Sequence, residues 1–274
     1  MKVWVNGTLC DEENAKVSPF DHGLLTGDGV FETLKVYDGR AFAVRRHLER
    51  LAFSAKGLGL PMPDAGVLRA AVDEVVAANG LTGEGRVRIT LTGGPSPLGS
   101  ERAEVDPLVI VAAGPLRPWP STTDVVVVPW PRNERGALAG LKTTSYGENV
   151  VALAYAHERG AGEAIFANLT GNLCEGTGTN VFLVLGGRLL TPPLSSGCLA
   201  GVTRSLVIEL TGAEEWDMPV SALAEAEEAF LTSTTREVQP VRTVDGVALR
   251  AAPGAATTAA SDAFSRLVSR DLDP

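Results

Sequence analysis

The chain has 274 residues, 45% of them hydrophobic and 21% charged, with a formal net charge of −9 and a pI near 5.0. That balance fits a soluble globular chain of one large or two modest domains. The acidic excess, with no basic run, argues against nucleic acid or a membrane surface as partner.

The N-terminal stretch MKVWVNGTLCDEEN lacks the apolar core of a signal peptide, and no apolar run is long enough to span a bilayer. Cys10, Cys174 and Cys198 are widely spaced with no C-x-x-C pair, and His22, His47 and His157 share no ligand spacing. A cytoplasmic chain with neither a disulfide framework nor a structural metal is expected.

In chain order, Asn6-Gly7 and Asp38-Gly39 each stand between apolar runs and signal two-residue hairpins. Leu48, Leu51, Ala52, Ala55 and Leu58 recur at helical spacing, and a second helix is expected from an Asp64 cap to just before Gly80. RVRITLT alternates: Val87, Ile89 and Leu91 face one way, Arg88, Thr90 and Thr92 the other. AAGPLRPWPSTT, with three prolines, divides the chain near residue 118. Domains are expected at 1–117 and 125–274, with a linker at 118–124.

Beyond the linker come a VVVVP strand, a helix near 147–159, and strands at EAIFAN, NVFLVL and RLLT. A glycine turn then opens a helix at GVTRSLVIEL that Gly212 ends, EAFLTSTTREVQPV is a strand pair, and a helix from about Ala255 closes the chain. Strands mixed with helices and hairpins imply an α+β fold with mixed sheets in both halves.

Lys142 follows Ala137, Leu138, Ala139, Gly140 and Leu141. A lysine in apolar surroundings tends toward the neutral, nucleophilic amine, although a stem snorkelling to water explains the same pattern. Gly201 before Val202 and Thr203 opens a helix whose free N–H groups suit an anion, or a plain cap. Ser233 and Thr234 put hydroxyls at a strand end, and Arg50 lies on a helix. Glu175, at another strand end, needs a partner, either an arginine such as Arg135 or a protonated ring nitrogen. No G-x-S-x-G elbow, phosphate-binding P-loop or complete dinucleotide fingerprint is present.

Together, DHGLLTGDGVFETLKVYDG, RRHLERL, LAGLKTTSYGENVVAL, LCEGTGTNVF, GCLAGVTR and EAFLTSTTREVQPV resemble, in order, the class IV pyridoxal-phosphate enzymes. That family includes branched-chain and D-amino-acid aminotransferases and aminodeoxychorismate lyase, all of one two-domain fold type. The resemblance implies pyridoxal 5′-phosphate as cofactor, Lys142 as the Schiff-base lysine and Glu175 as partner of the pyridine nitrogen. It implies phosphate ligands at Arg50, Val202, Thr203 and Thr234, with Ser233 a further member, and a hydrogen bond from Tyr146 to the ring oxygen. Arg135 matches an arginine that supports the glutamate, and the family's active site lies at a homodimer interface.

The stretch STTREVQPV resembles the aminotransferases, whose D-amino-acid branch carries a similar Ser-Thr-Thr. Donation from D-amino acids to a 2-oxo acid by a ping-pong scheme is therefore expected, with the lyase that releases 4-aminobenzoate and pyruvate as the alternative. Phe31 stands where many D-amino-acid enzymes have tyrosine, and Thr92 where a carboxylate-gripping arginine is expected. Arg88 occupies a position that branched-chain enzymes fill with arginine. It either takes over carboxylate recognition or pairs structurally with a nearby acid.

Overall fold

A computed structural model describes residues 1–274 and divides them into two compact units. The first comprises Met1–Arg117, Leu141–Tyr146 and Asp271–Pro274; the second comprises Pro118–Gly140 and Gly147–Arg270.

The first unit holds β1 (Lys2–Val5), β2 (Thr8–Asp11), α1 (His22–Leu25), β3 (Gly29–Tyr37), β4 (Arg40–Ala41), α2 (Val44–Leu58), α3 (Ala65–Ala78), β5 (Gly85–Thr92) and β6 (Leu108–Pro115). Its strands form an antiparallel sheet in the order β2-β1-β6-β5-β3-β4. The two predicted hairpins are present, and positive φ at Asn6, Gly7, Asp38 and Gly39 gives both turns the twist that two-residue loops need.

Alternation in β5 works as expected, since Val87, Ile89 and Leu91 are all buried in one apolar core with residues of α2 and α3. Each such side chain contributes about 1.5–3 kcal/mol by leaving water. The Asp64 carboxylate caps α3 by accepting the Val67 N–H at 3.1 Å, and α2 ends where Gly59 turns left-handed at φ +70°.

The linear expectation placed Lys142 and the C-terminus in a domain at 125–274; the first unit claims both segments. Phe31 N–H donates to the Lys142 carbonyl at 3.0 Å, and Thr144 N–H donates to Gly29 O at 2.8 Å. Residues 142–144 thus run along the edge of β3. The last residues are held in the same way: Ala43 N–H donates to Leu272 O at 2.7 Å, and Arg69 pairs with Asp273 at 2.7 Å.

The second unit holds β7 (Thr123–Val127), α4 (Gly147–Glu158), β8 (Glu163–Ala167), β9 (Leu173–Gly176), β10 (Asn180–Leu185), β11 (Arg188–Thr191), α5 (Val202–Thr211), β12 (Glu214–Glu215), α6 (Ala222–Glu225), β13 (Glu228–Ser233), β14 (Glu237–Val244), β15 (Val247–Ala248) and α7 (Ala255–Arg270). The sheet is mixed, in the order β12-β11-β10-β13-β14-β7-β8-β9, with β15 on β14. β7 pairs parallel to both β8 and β14, and α4 makes the crossover from β7 to β8.

The sheet buries side chains on both faces. Val125 and Ile165 enter one apolar cluster with Leu223 of α6, while Val126 and Phe166 enter another with Ala152 and Ala156 of α4. Residues buried on both sides explain why NVFLVL and EAIFA read as continuous apolar runs rather than alternating ones.

Candidate active site

Adjacent residues of a strand point to opposite faces, so Phe31 and Glu32 of β3 open different environments. On the first face the Phe31 ring collects polar side chains. The Arg88 guanidinium carbon lies 3.7 Å from its centroid and Lys142 Nζ 4.5 Å. Tyr146 meets it edge-on, with centroids 5.2 Å apart at 73°. Lys142 is also fixed through its backbone, since its N–H donates to Ser54 Oγ of α2 at 3.1 Å.

Arg88 lies within reach because Thr33 and Phe31 of β3 pair with Arg88 and Thr90 of β5. Its Nε donates to Thr90 Oγ1 at 3.1 Å, and it has no carboxylate partner. Of the two alternatives for Arg88, the structural ion pair is therefore not what the fold forms. Loss of hydration lowers the guanidinium pKa from its ordinary value, with Tyr146 acting the other way.

Thr92, expected beside Arg88 on the substrate side, is taken up elsewhere. It is buried, its Oγ1 donates to Asp21 Oδ2 at 2.8 Å, and Asp21 also caps α1 through the Gly23 N–H. Thr92 thus fastens the end of β5 to the turn at α1.

On the opposite face of β3, Glu32 is fully buried. Arg50 Nε and Nη2 each reach one of its oxygens at 2.7 Å, and His47 Nδ1 reaches Oε2 at 2.7 Å. Burial raises the Glu32 pKa, but the Arg50 guanidinium and then His47 overcome it and hold the carboxyl well below the usual range. Burial likewise depresses His47 against the pull of Glu32. A neutral imidazole therefore donates its Nδ1–H, and the charge pair is Glu32 with Arg50.

In the second unit, Glu175 near the end of β9 accepts the Leu199 N–H on Oε2 at 2.8 Å. Its Oε1 lies 3.3 Å from Arg132 Nε. The supporting arginine is thus Arg132 and not Arg135, which is exposed and lies 3.7 Å from Glu134. The Arg132 N–H donates to Ala167 O at 2.7 Å, holding it beside the β8–β9 hairpin, while Arg135 follows in the turn closed from Gly136 to Asn133. Arg132 also stacks 4.1 Å from the Phe166 ring centroid and donates to Asn149 Oδ1 at 2.9 Å. Cys174, preceding Glu175, is a buried free thiol whose pKa burial pushes up, so it stays protonated.

α5 opens without a side-chain cap, because its cap position is Gly201. A Cβ at Gly201 would come within 2.0 Å of Asn180 Oδ1, so a capping side chain has no room there. Val202 and Thr203 head the helix and are buried. Ser233 Oγ accepts the Arg236 N–H at 3.2 Å across the turn that follows β13 and contains Thr234.

The family model for class IV amino-transferases matches residues 29–244. The chain belongs to this family. Relatives include a putative branched-chain-amino-acid aminotransferase of Methanocaldococcus jannaschii, 36% identical, with 90% of this chain and 88% of the relative covered. An aminodeoxychorismate lyase of Bacillus subtilis is 32% identical (94% and 91% covered), and a D-alanine aminotransferase of Staphylococcus haemolyticus 31% (89% and 89%). Among solved structures, the branched-chain amino acid aminotransferase of Escherichia coli superposes with a TM-score of 0.92 at 30% identity, covering 97% and 94%. A second branched-chain amino acid aminotransferase, from T.th. and solved with pyridoxamine 5′-phosphate, gives 0.92 at 26%, covering 98% and 94%.

Class IV aminotransferases use pyridoxal 5′-phosphate. Each unit carries donors of a kind that suits that molecule: in the first a primary amine for an aldehyde, in the second a carboxylate for a pyridinium and an uncapped helix N-terminus for a phosphate. Glu32 and Arg132 escaped the sequence reading. A signal for Glu32 was available, since it is an acid inside the apolar run VFETLKV while His47 and Arg50 share one face of α2. Arg132 carries no such signal.

Proposed function

We propose that the chain transfers the amino group of an amino acid to a 2-oxo acid, with Arg88 holding the donor carboxylate. The observation carrying this reading is the single aromatic surface of Phe31, on which Arg88 and Lys142 Nζ both lie while Arg88 has no acid of its own. A guanidinium fork without a protein carboxylate suits a substrate carboxylate, and Lys142 supplies the amine for chemistry at the neighbouring Cα.

Pyridoxal 5′-phosphate, when bound, supplies the carbonyl carbon that takes the amino group and a ring that withdraws electrons. Lys142 Nζ would hold that carbonyl carbon and would carry the proton from the donor Cα. Glu175, which accepts the Leu199 N–H and lies beside Arg132, would hold the pyridine nitrogen, and Tyr146 would orient the ring oxygen. In the second unit the N–H groups of Val202 and Thr203 and the hydroxyls of Thr203, Thr234 and Ser233 would hold the phosphate; the resemblance adds Arg50, whose plane Glu32 fixes.

D-Amino acids are the donors implied by the resemblance around Ser233–Thr235. A second reading, branched-chain L-amino acids, is supported by Arg88 within its strand and by the substrate named for the M. jannaschii relative. Titrating the cofactor-loaded protein with D-alanine, L-leucine and L-alanine in separate runs, without acceptor, decides between them. Release of a 2-oxo acid from D-alanine alone supports the first, and from L-leucine alone the second. Release of 4-aminobenzoate from aminodeoxychorismate would instead support the lyase named for the B. subtilis relative. The family's homodimer is part of this proposal, and size-exclusion with light scattering tests it.

A further inference from the structure

Glu163, the first residue of β8, is a carboxylate buried to 1% exposure that plays no part in the chemistry above. Its Oε1 accepts the Ala164 N–H at 3.0 Å, the Thr177 N–H at 3.1 Å, and the Thr177 hydroxyl. Its Oε2 accepts the Thr179 hydroxyl at 3.3 Å and lies 3.4 Å from Arg236 Nη2. One carboxylate therefore grips two turns at once, Glu175–Asn180 after β9 and Ser233–Arg236 after β13.

The grip on the first turn leads back to Glu175. Thr177 O accepts from Asn149 Nδ2, Asn149 Oδ1 accepts from Arg132, and Arg132 lies against Glu175. At Gly176 a Cβ would fall 2.1 Å from Thr179 Oγ1 and 3.2 Å from the Glu163 carboxyl carbon, so this turn is packed directly onto the carboxylate. The grip on the second turn runs through Arg236. Its Nη1 donates to Gln239 at 2.6 Å, its Nη2 to Gly162 O at 3.0 Å, and its guanidinium stacks 4.0 Å from the Trp119 centroid. Its backbone N–H closes the turn onto Ser233 Oγ at 3.2 Å.

We propose that Glu163 and Arg236 are positioning residues that lock the turn bearing Ser233 and Thr234 in register with the turn that follows Glu175. The phosphate hydroxyls and the carboxylate for the pyridine nitrogen then answer to one buried ion pair. The inference rests on the assignment of Ser233–Thr234 to the cofactor phosphate. Both turns lie in the second unit, and every link between them is a side-chain hydrogen bond or ion pair within it. A buried pair saturated in this way resists displacement of either partner.

The two halves of the grip separate by substitution. Arg236→Met releases only the Ser233–Thr234 turn and keeps an apolar stem against Trp119, because Thr177 and Thr179 still satisfy Glu163. Glu163→Gln loosens both turns. The experiment titrates cofactor-free, full-length protein with pyridoxal 5′-phosphate and with pyridoxal, which lacks the phosphate.

Arg236→Met is expected to weaken pyridoxal 5′-phosphate binding about tenfold and to leave pyridoxal binding within about twofold. Glu163→Gln is expected to weaken both, and the double variant to lose no more than Glu163→Gln alone. Arg236→Lys, which keeps the charge, is expected to recover part of the phosphate preference. It also serves as the test if the Met variant fails to fold.

An unchanged preference for the phosphorylated ligand in a folded Arg236 variant overturns the proposal, as does an equal loss on both ligands. If the wild-type protein binds pyridoxal as tightly as pyridoxal 5′-phosphate, the phosphate assignment itself falls and takes the proposal with it.

Discussion

The two faces of β3 treat charge in opposite ways. Beneath α2, Glu32 is saturated by Arg50 and His47 at 2.7 Å and fully shielded from water. One residue earlier on the other face, Phe31 carries the Arg88 guanidinium and Lys142 Nζ, with no acid bound to Arg88. A closed network fixes geometry and resists change. A cation resting on an aromatic ring is held more weakly and remains ready for an incoming anion. The strand thus joins a rigid anchor for Arg50 to a receptive surface around Lys142.

Substitutions on the two faces should fail differently. Lys142→Ala removes the nucleophile and proton carrier, so turnover should fall by at least about three orders of magnitude with the unfolding midpoint nearly unchanged. Assays beside urea melts check this, and wild-type turnover in the variant would end the assignment.

Glu32→Ala should act first on the fold, costing roughly 3–5 kcal/mol of stability because a buried ion pair is broken. Urea unfolding measures it, and a loss below about 1 kcal/mol would mean that the network is not the anchor described.

Arg88→Lys keeps a charge but loses the fork, so the KM for amino-acid donors should rise about 10- to 100-fold, while amines lacking a carboxylate change little. Equal losses on both substrates would remove Arg88 from carboxylate recognition.

The smallest expected effect is the pH dependence of the closed face. His47 and Glu32 both have depressed pKa values in the folded chain, so the unfolded chain binds more protons as the solution is acidified. The stability that each contributes is complete above its ordinary value of about 6.5 or 4.5 and is lost as pH falls through its folded value. Stability should decline first below about pH 6.5 and further below about 4.5. In His47→Gln the first decline should flatten, and an unchanged profile would place the titrating group elsewhere.

Local signals carried much of the architecture. Asp64, Gly59 and Gly212 sit at helix ends because their side chains or left-handed backbones close the orphan amides and carbonyls. The alternation of Val87, Ile89 and Leu91 specifies which face of β5 is buried. β6 went unrecognised although LVIVAAGP is apolar, since its pairing with β1 and β5 depends on residues far along the chain.

Long-range pairing also explains why Leu141–Tyr146 and Asp271–Pro274 are grouped with the first unit. Nothing near Lys142 indicates that its carbonyl meets Phe31, 111 residues earlier. Lys142 and Glu175 were named from an ordered motif set. Their supports were not: Arg132 and Arg135 differ by three positions in an irregular turn, where no periodicity says which one folds back onto Glu175.

The most direct test is the amount of 2-oxo acid released when the cofactor-loaded enzyme meets an amino-acid donor without acceptor. The expected result is release that stops near about one equivalent per chain, resumes when a second 2-oxo acid is added, and is absent in Lys142→Ala. Continuous release without acceptor, or release that survives loss of Lys142, would contradict a two-stage amino transfer through that lysine.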